Sequence, residues 1–341
     1  MKRLIVTGQA ESAPAIVEEM RESAPGVELT VLAPGVWLAA SDVDLVRRWQ
    51  AAPPIFVRPV CRVALEVPLE RHEGDPERVA AAAAELVAGL APGVPFSVQA
   101  RLVAGDLPYK PFALNEALSR RAPSGVPLGV RHPGQVVSVV AAEVGGRAVA
   151  YVGASRVAEN LSDWAGGARR LSRDTDQVSR AEGKLTEALE VFGLEVPSSG
   201  RAVDLGAAPG GWTRAGARGV KVLAVDPAAL DPRVGNDPGV TWLPTTAERW
   251  LAGNPTPVDI AVADMRMDAR DAARLMVDVA PVVRAWAVLT LKLPERDPRP
   301  RVAEALRILG HSDEPGLGWR IVGARQLFHN RSEITVALRP A

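Results

Sequence analysis

Lysine is scarce in this chain, and its scarcity makes each lysine a candidate for chemistry. Of the forty basic residues, five are lysine, at positions 2, 110, 184, 221 and 292, and the rest are arginine. The abundance of Ala, Gly, Pro, Val and Arg is typical of a GC-rich coding bias. Arginine serves wherever only a positive charge is needed, but a neutral amine near pH 7 can form only on lysine. The retained lysines are therefore candidates for proton transfer.

A glycine-rich loop between Leu205 and Trp212 is the most informative segment. A predicted strand ends at Leu205 and a helix begins near Trp212, which places the loop at the sheet edge where such folds bind ligands. Its glycines at 206, 210 and 211 depart from the G-x-G-x-x-G spacing of dinucleotide folds, and the loop carries Pro209. The pattern disfavours a nicotinamide dehydrogenase and fits a ligand without phosphates, such as S-adenosylmethionine (SAM).

Residues beyond the loop complete the predicted cofactor site. Asp226 follows the next strand, about twenty residues on, as expected for a carboxylate that binds a ribose diol. The third strand is followed by Pro244-Thr245-Thr246 rather than by an acid, so contacts to adenine would come from a hydroxyl, backbone groups or apolar packing. The predicted cofactor-binding residues are Asp204, Gly206, Ala207, Ala208, Pro209, Gly210, Gly211, Trp212, Asp226, Thr245 and Asp264.

Two predicted blocks precede this site. Residues 1–52 are predicted to form a small ferredoxin-like α+β region, in which the periodicity gives strands at 4–7, 27–32 and 36–40 and helices at 13–22 and 42–50. Residues 53–158 form a second block, with a strand region at 56–67, helices at 76–89 and 112–121, a strand at 96–103, and a hairpin of 136–142 and 147–152 that turns at Gly145-Gly146. Residues 159–178 are predicted to be a linker.

Residues 179–341 alternate strands and helices, which predicts a doubly wound α/β sheet. A helix at 179–192 begins with a capping box of Ser179 and Glu182. The predicted strands are 202–205, 220–225, 240–243, 259–263, 285–291, 320–326 and 334–338.

Five segments of this last block resemble the FtsJ-like ribose 2′-O-methyltransferases. The segments are Ser179–Leu185, Asp204–Trp212, Ala263–Met265, Leu291–Pro294 and Ala324–Glu333. The L-K-L-P and R-Q-L-F-H sequences look specifically like the RlmM branch, which methylates a cytidine of large-subunit (23S) ribosomal RNA. That resemblance implies an N-terminal ferredoxin-like region and an RNA-binding THUMP domain, which Phe96 to Arg156 resembles.

The resemblance also implies a catalytic Lys-Asp-Lys-Glu tetrad at Lys184, Asp264, Lys292 and Glu333. A ribose hydroxyl is a weak nucleophile whose proton must leave as the methyl arrives. Two lysines held close together should push each other toward neutrality, while carboxylates orient them. We therefore expect Lys292, with a lowered pKa, to be the general base, Lys184 to tune it, and Asp264 and Glu333 to orient the pair.

Local basic clusters are the candidates for RNA contact, because forty acidic residues balance the forty basic ones. Arg331 is the best single candidate, since it adjoins Glu333. The THUMP-like region contributes Arg101, Lys110, Arg120, Arg121 and Arg131, and the linker contributes Arg169, Arg170 and Arg173, with Trp164 as a stacking residue. Scattered solvated arginines are the alternative explanation of these clusters.

Composition limits the class of protein. With 47% hydrophobic and 23% charged residues, the chain reads as globular rather than disordered. Cys61 is the single cysteine, which excludes a disulfide framework or a cysteine zinc site and favours a reducing compartment. No apolar run suits a signal peptide or a membrane span.

We expect a cytoplasmic monomer that binds RNA, with no metal, DNA or membrane partner. The alternatives are a methyltransferase of transfer RNA or an RNA cap, and a catalytically silent assembly factor that binds SAM or RNA.

Overall fold

The computed structural model describes residues 1–58, 60–130, 132–162, 178–179, 181–216, 219–311 and 318–341. The chain forms two compact units, Met1–Arg170 and Leu171–Ala341. Most of the predicted linker lies outside the described residues, and so do five residues predicted to contact RNA: Arg131, Trp164, Arg169, Arg170 and Arg173. Within the described part of the chain, no helix has the length and apolar character needed to cross a membrane.

The first unit opens with a β-α-β-β-α-β arrangement. Its elements are β1 (Lys2–Thr7), α1 (Ala13–Ser23), β2 (Glu28–Ala33), β3 (Val36–Ser41), α2 (Leu45–Ala51) and β4 (Val60–Val63). The sheet order is β2-β3-β1-β4, and all its pairs are antiparallel. This is the ferredoxin-like topology, as predicted. The predicted boundary at residue 52 falls before β4, the strand that completes this sheet.

A second sheet follows in the same unit. Its elements are β5 (Leu65–Pro68), α3 (Asp75–Ala82), α4 (Ala84–Ala88), β6 (Phe96–Leu102), α5 (Pro111–Ser119), β7 (Gln135–Val144) and β8 (Arg147–Arg156). The order is β5-β8-β7-β6, with β6 and β7 parallel. The predicted β7–β8 hairpin is confirmed, and its two turn glycines have φ values of 56° and 76°. The predicted helix at 76–89 is interrupted at Ala83.

The two sheets of the first unit share a hydrophobic core. Ile5 and Cys61 from the first sheet pack with Val140 and Tyr151 from the second. The sheets approach so closely that a Cβ on Gly153 would lie 1.7 Å from the carbonyl oxygen of Arg62. Burial raises the pKa of the Cys61 thiol to about 12, so this cysteine is a packing residue.

The second unit is the predicted doubly wound sheet. Its elements are α6 (Ala181–Val191), β9 (Arg201–Leu205), α7 (Gly211–Gly216), β10 (Lys221–Val225), α8 (Pro232–Gly235), β11 (Val240–Leu243), α9 (Ala247–Ala252), β12 (Val258–Ala263), α10 (Ala269–Val279), β13 (Val283–Lys292), α11 (Pro298–Gly310), β14 (Trp319–Arg325) and β15 (Glu333–Pro340). Short 3-10 helices occupy Ala10–Ser12 and Val157–Glu159 in the first unit and Ala280–Val282 in the second.

Strand order places a crevice beside the glycine loop. The sheet runs β11-β10-β9-β12-β13-β15-β14, with β9 to β13 parallel and β15 antiparallel to both its neighbours. The order reverses between β9 and β12, and open α/β sheets bind ligands at such a switch point, outside the carboxyl ends of the strands. The loop after β9 and the residue after β12, Asp264, therefore meet at one edge.

Candidate active site

The four residues of the predicted tetrad meet at this edge of the sheet. The Lys184 Nζ lies 3.0 Å from Asp264 Oδ2 and 2.5 Å from Glu333 Oε1. The Lys292 Nζ lies 2.8 Å from Asp264 Oδ1 and also contacts Glu333 Oε2. Each lysine therefore bridges both carboxylates, and each carboxylate bridges both lysines. The result is a closed square of alternating charge whose formal sum is zero.

Three elements of the sheet and one helix bring the square together. Asp264 follows β12, Lys292 ends β13 and Glu333 begins β15, directly opposite Lys292 in the antiparallel register. Lys184 reaches over from α6. The side chains are largely buried, with exposed fractions from 8% for Glu333 to 29% for Lys292, so their mutual attraction is only weakly screened by solvent.

The structure contradicts the expected lowered pKa of Lys292. Burial favours the neutral amine, but the negative charge of Asp264 and the hydrogen bonds to Asp264 and Glu333 outweigh burial, and they raise the pKa of Lys292. Burial likewise opposes the charge of Asp264, yet Lys292 and Lys184 hold the pKa of that carboxyl below its usual value. The expectation was wrong because it counted lysine–lysine repulsion and omitted the two carboxylates that lie between the amines.

Thr290 is a member of the site that the sequence analysis did not identify. Its hydroxyl donates to Asp264 Oδ1 at 2.6 Å and accepts from the Lys292 Nζ at 3.3 Å. It lies two residues before Lys292 on β13, and the period of two in a strand puts both side chains on one face. The two-residue spacing between Thr290 and Lys292 is the sequence feature that could have identified Thr290.

The start of helix α6 is held by its own capping contacts and by one contact with the glycine loop. Ser179 Oγ accepts from the Ala181 N–H at 3.2 Å. The Glu182 carboxylate accepts from the Val178 N–H at 2.7 Å, one residue earlier than a reciprocal capping box requires. The Trp212 indole donates to the Ala181 carbonyl at 2.7 Å. These contacts fix the start of the helix that carries Lys184.

Glu187, one turn beyond Lys184 on α6, anchors the loop between β14 and β15. Its buried carboxylate accepts from the N–H groups of Phe328 and His329 at 2.9 and 3.0 Å, and it contacts His329 Nδ1 at 2.7 Å. Burial opposes its charge, but these hydrogen bonds lower the pKa of Glu187. Gly183 leaves room for the His329 ring, because a Cβ there would lie 2.9 Å from His329 Cδ2. Sequence analysis missed Glu187, whose signal was its i+3 spacing from Lys184.

The glycine loop folds back against the next strand. The Gly206 and Ala207 N–H groups donate to the Val225 carbonyl at 2.9 and 3.3 Å. Gly206 has a φ of 75°, and a Cβ there would lie 2.6 Å from Met265 Cγ, so the position requires glycine. Gly210 has a φ of 114°, the Ala208-Pro209 peptide bond is cis, and Gly211 packs closely on Ser179.

Two residues predicted to bind cofactor, Asp204 and Trp212, are buried beside the loop. Asp204 is 1% exposed and accepts from the Thr213 hydroxyl at 2.6 Å. Burial, with a smaller contribution from the charge of Asp264, raises the pKa of Asp204 to about 7. Trp212 is 2% exposed and packs in the core. Both were selected by their position in the motif, and their direct contact with a cofactor stays a prediction.

Asp226 remains the best placed polar group for a ligand. It is partly exposed, and its two carboxylate oxygens accept from the Ala208 and Ala228 N–H groups at 3.0 and 2.7 Å. Each oxygen keeps a second lone pair that could accept from a ribose diol. Thr245 is partly buried in the turn after β11, where its N–H donates to the Leu243 carbonyl at 2.8 Å. Backbone, apolar and carboxylate groups of this kind fit a nucleoside without phosphates.

The residues predicted to contact RNA are dispersed. Arg101 is partly buried near Cys61, and burial lowers the pKa of its guanidinium. Arg120 pairs with Glu116 at 2.9 Å and with Glu77, which also lies 3.8 Å from Arg121. Lys110 is exposed at the start of α5. Arg331 is exposed two residues before Glu333, and of the predicted RNA contacts that the structure describes it alone adjoins the tetrad.

Comparisons with known proteins relate part of the chain to RNA methyltransferases. Residues 177–286 match the FtsJ-like methyltransferase family, a range that includes Lys184 and Asp264 and ends before Lys292 and Glu333. The chain is 38% identical over 203 residues to the ribosomal RNA large subunit methyltransferase M of Laribacter hongkongensis, covering 55% of this chain and 57% of the relative. It is 40% identical over 187 residues to the protein of that name from Halorhodospira halophila, covering 52% and 51%.

The chain therefore spans about half the length of the curated relatives it matches. Among solved structures, TrmN from Thermus thermophilus matches over 100% of both chains at 18% identity, with a TM-score of 0.39 that is too low to establish a common fold.

Proposed function

We propose that this chain, whose C-terminal unit carries an FtsJ-like methyltransferase domain, transfers a methyl group from SAM to a ribose 2′-hydroxyl of RNA. We further propose that the target is a cytidine of large-subunit (23S) ribosomal RNA. The observation that carries the proposal is the buried, charge-balanced square of two lysines and two carboxylates beside a loop suited to a nucleoside without phosphates. The names of the relatives, ribosomal RNA large subunit methyltransferase M, support the choice of RNA substrate.

The tetrad offers a route for the proton of the attacking hydroxyl. When bound, SAM supplies an electrophilic methyl group on a sulfonium. Lys292 is the proposed general base, although its raised pKa means that the resting amine is protonated. Lys292 contacts Glu333, so it can pass its own proton to that carboxylate as it receives one from the hydroxyl. One O–H and one N–H bond break, one N–H and one O–H bond form, and the tetrad gains a single proton.

The other members hold this arrangement. Asp264 accepts from both lysines and from Thr290, so it orients the Lys292 amine toward the edge of the sheet. Lys184 balances the second negative charge and keeps either carboxylate from drawing the Lys292 proton permanently. The proposed cofactor contacts are Asp226, Thr245 and the backbone of residues 206–210. For the first unit, we propose that the part from β5 to β8 is a THUMP-like domain that delivers RNA to a monomeric, cytoplasmic enzyme.

The proposal is tested by comparing 2′-O-methylation across ribosomal RNA from a wild-type strain and a strain that lacks the gene. We expect one ribose methyl to be absent from the large-subunit RNA of the deletion strain. A missing methyl on transfer RNA or an mRNA cap would assign a different substrate. If the methylation map is unchanged and no methyl is transferred from radiolabelled SAM to deletion-strain RNA, the proposed activity is rejected. The remaining interpretation is a catalytically silent protein that binds SAM or RNA.

Lys292→Ala tests the proposed base directly. We expect methyl transfer to be abolished while SAM affinity, measured by calorimetry, stays within a few-fold of wild type. Lys221→Ala is the matched control, because Lys221 is exposed at the start of β10, at the edge of the sheet away from the tetrad. Retained turnover in Lys292→Ala would remove Lys292 from its role.

A further inference from the structure

The segment Gln326–Ser332 between β14 and β15, named here the 326–332 loop, is held rigidly by its own residues and by its neighbours. Asn330 Oδ1 accepts from the Leu327 N–H at 2.7 Å and from the Thr335 hydroxyl at 3.1 Å. The Gln326 side chain donates to the Arg331 carbonyl at 3.0 Å. Glu187 accepts from two further N–H groups of the loop, as described above. These bonds tie the loop to itself, to β15 and to α6.

The exposed residues of this loop are Phe328, Arg331 and Ser332, and the first two carry large side chains. Phe328 is 38% exposed although its backbone is anchored, and its ring meets the His329 ring edge to face, with centroids 5.5 Å apart. Arg331 is exposed and has no ion pair among the described residues. An exposed aromatic ring and a cation three residues apart are the two groups that proteins use to bind a nucleobase and a phosphate.

The 326–332 loop borders the tetrad on two sides. Glu187 ties Phe328 to α6 one turn from Lys184, and the Leu293 N–H, next to Lys292, donates to the Ser332 carbonyl at 2.9 Å. Glu333 follows the loop directly. Because the tetrad is charge-balanced, its carboxylates do not cancel the attraction of Arg331 for a phosphate.

We propose that the 326–332 loop is a nucleotide-binding element: Phe328 stacks on a base of single-stranded RNA, and Arg331 holds a phosphate of the same strand. The inference rests on the proposed function and adds how the substrate is held beside the tetrad. Stacking suits a strand whose bases are splayed out of a helix, since an aromatic face accepts any base. The assigned substrate class is therefore unpaired RNA rather than a duplex.

The test compares two fluorescein-labelled probes of equal length, oligocytidylate RNA and an abasic ribose-phosphate oligomer, binding to the full chain. We expect Phe328→Ala to weaken oligocytidylate binding by about 10-fold, the loss that removal of one stacked base gives, and to leave the abasic probe unchanged. Phe328→Tyr should stay within about two-fold of wild type, because its ring still stacks.

Arg331→Ala should weaken both probes and reduce the salt dependence of binding by about one ion, since it removes one phosphate contact. The matched controls are Val191→Ala, an exposed apolar residue at the end of α6, and Arg284→Ala, an exposed arginine at the opposite end of β13 from Lys292. Both controls should bind both probes as wild type does, and every variant should keep wild-type SAM affinity.

A wild-type chain that binds oligocytidylate no better than the abasic probe would overturn the inference, and so would equal weakening of both probes by Phe328→Ala. The proposed function has a separate readout, methyl transfer to deletion-strain ribosomal RNA. If the wild-type chain transfers methyl groups but Phe328→Ala weakens both probes equally, the nucleotide-binding role of the 326–332 loop is rejected and the proposed function stands. If Phe328→Ala weakens only the oligocytidylate probe but the wild-type chain transfers no methyl group, the proposed reaction is rejected and the role of the loop stands.

Discussion

Neutralising Glu333 should cost the second unit more stability than neutralising any surface carboxylate. Glu333→Gln keeps the shape of the side chain and removes one of the two negative charges in the tetrad. Two ammonium groups would then share Asp264, at 3.0 and 2.8 Å, in a site where Glu333 itself is 8% exposed. Removing one partner of a buried ion pair costs about 3–5 kcal/mol, because the remaining charge is left without compensation.

The assay is hydrogen exchange at the amides of β13 and β15, which reports the opening free energy of the strands that carry the tetrad. The matched control is Glu304→Gln, because Glu304 is 40% exposed and lies 3.8 Å from Arg270. A solvent-screened pair of that kind contributes about 1 kcal/mol or less. The double variant Lys184→Met with Glu333→Gln restores charge balance, so its loss should be smaller than the sum of the two single losses by about 1–3 kcal/mol.

Equal effects of Glu333→Gln and Glu304→Gln would refute the reasoning, since they would mean that the tetrad is as well solvated as the surface. Strict additivity in the double variant would refute it as well. In that case the four groups would not act as one balanced set, and the proposed proton path through Glu333 would lose its physical basis.

Three further predictions concern buried ionisable groups. Glu187→Ala removes the acceptor of the Phe328 and His329 N–H groups and should cost about 3 kcal/mol in urea unfolding, whereas Glu187→Gln should cost less; equal losses would contradict the anchoring role. The lowered pKa values of Glu187 and Asp264 contribute stability above pH ~4 that is lost as the pH falls through the folded-state pKa, so the melting temperature should fall as the pH is lowered below ~4. Cys61, with its pKa raised to about 12, should resist a thiol reagent in the folded chain and react after denaturation; rapid reaction of the native protein would contradict its burial.

The sequence predicted the strands of the second unit well because local patterns determine them. Apolar runs such as Ala261–Ala263 and Ala287–Leu289 are buried, and glycine marks the loop between β9 and α7. Once β12 and β13 were recognised as neighbouring parallel strands, the convergence of Asp264 and Lys292 followed from geometry alone.

Features that depend on tertiary pairing could not be predicted in this way. The sequence of β4 does not indicate that this strand joins the first sheet. A strand of four residues carries too little pattern to specify its partner, so its pairing depends on the tertiary fold. The pKa of Lys292 depends on carboxylates that lie 28 and 41 residues away in sequence and bridge both amines. Spacing indicated that these groups would meet, but not that each amine would have two acceptors.

The shared core of the first two sheets has a consequence for how this part of the chain can be divided. A fragment cut at residue 52 would lose β4, and a cut after β4 would uncover Val140 and Tyr151 on the neighbouring sheet. Exposed apolar faces of this kind favour aggregation over folding. Residues 1–162 should therefore melt in one cooperative transition, and insertions would be tolerated better at the β7–β8 turn than anywhere between the two sheets.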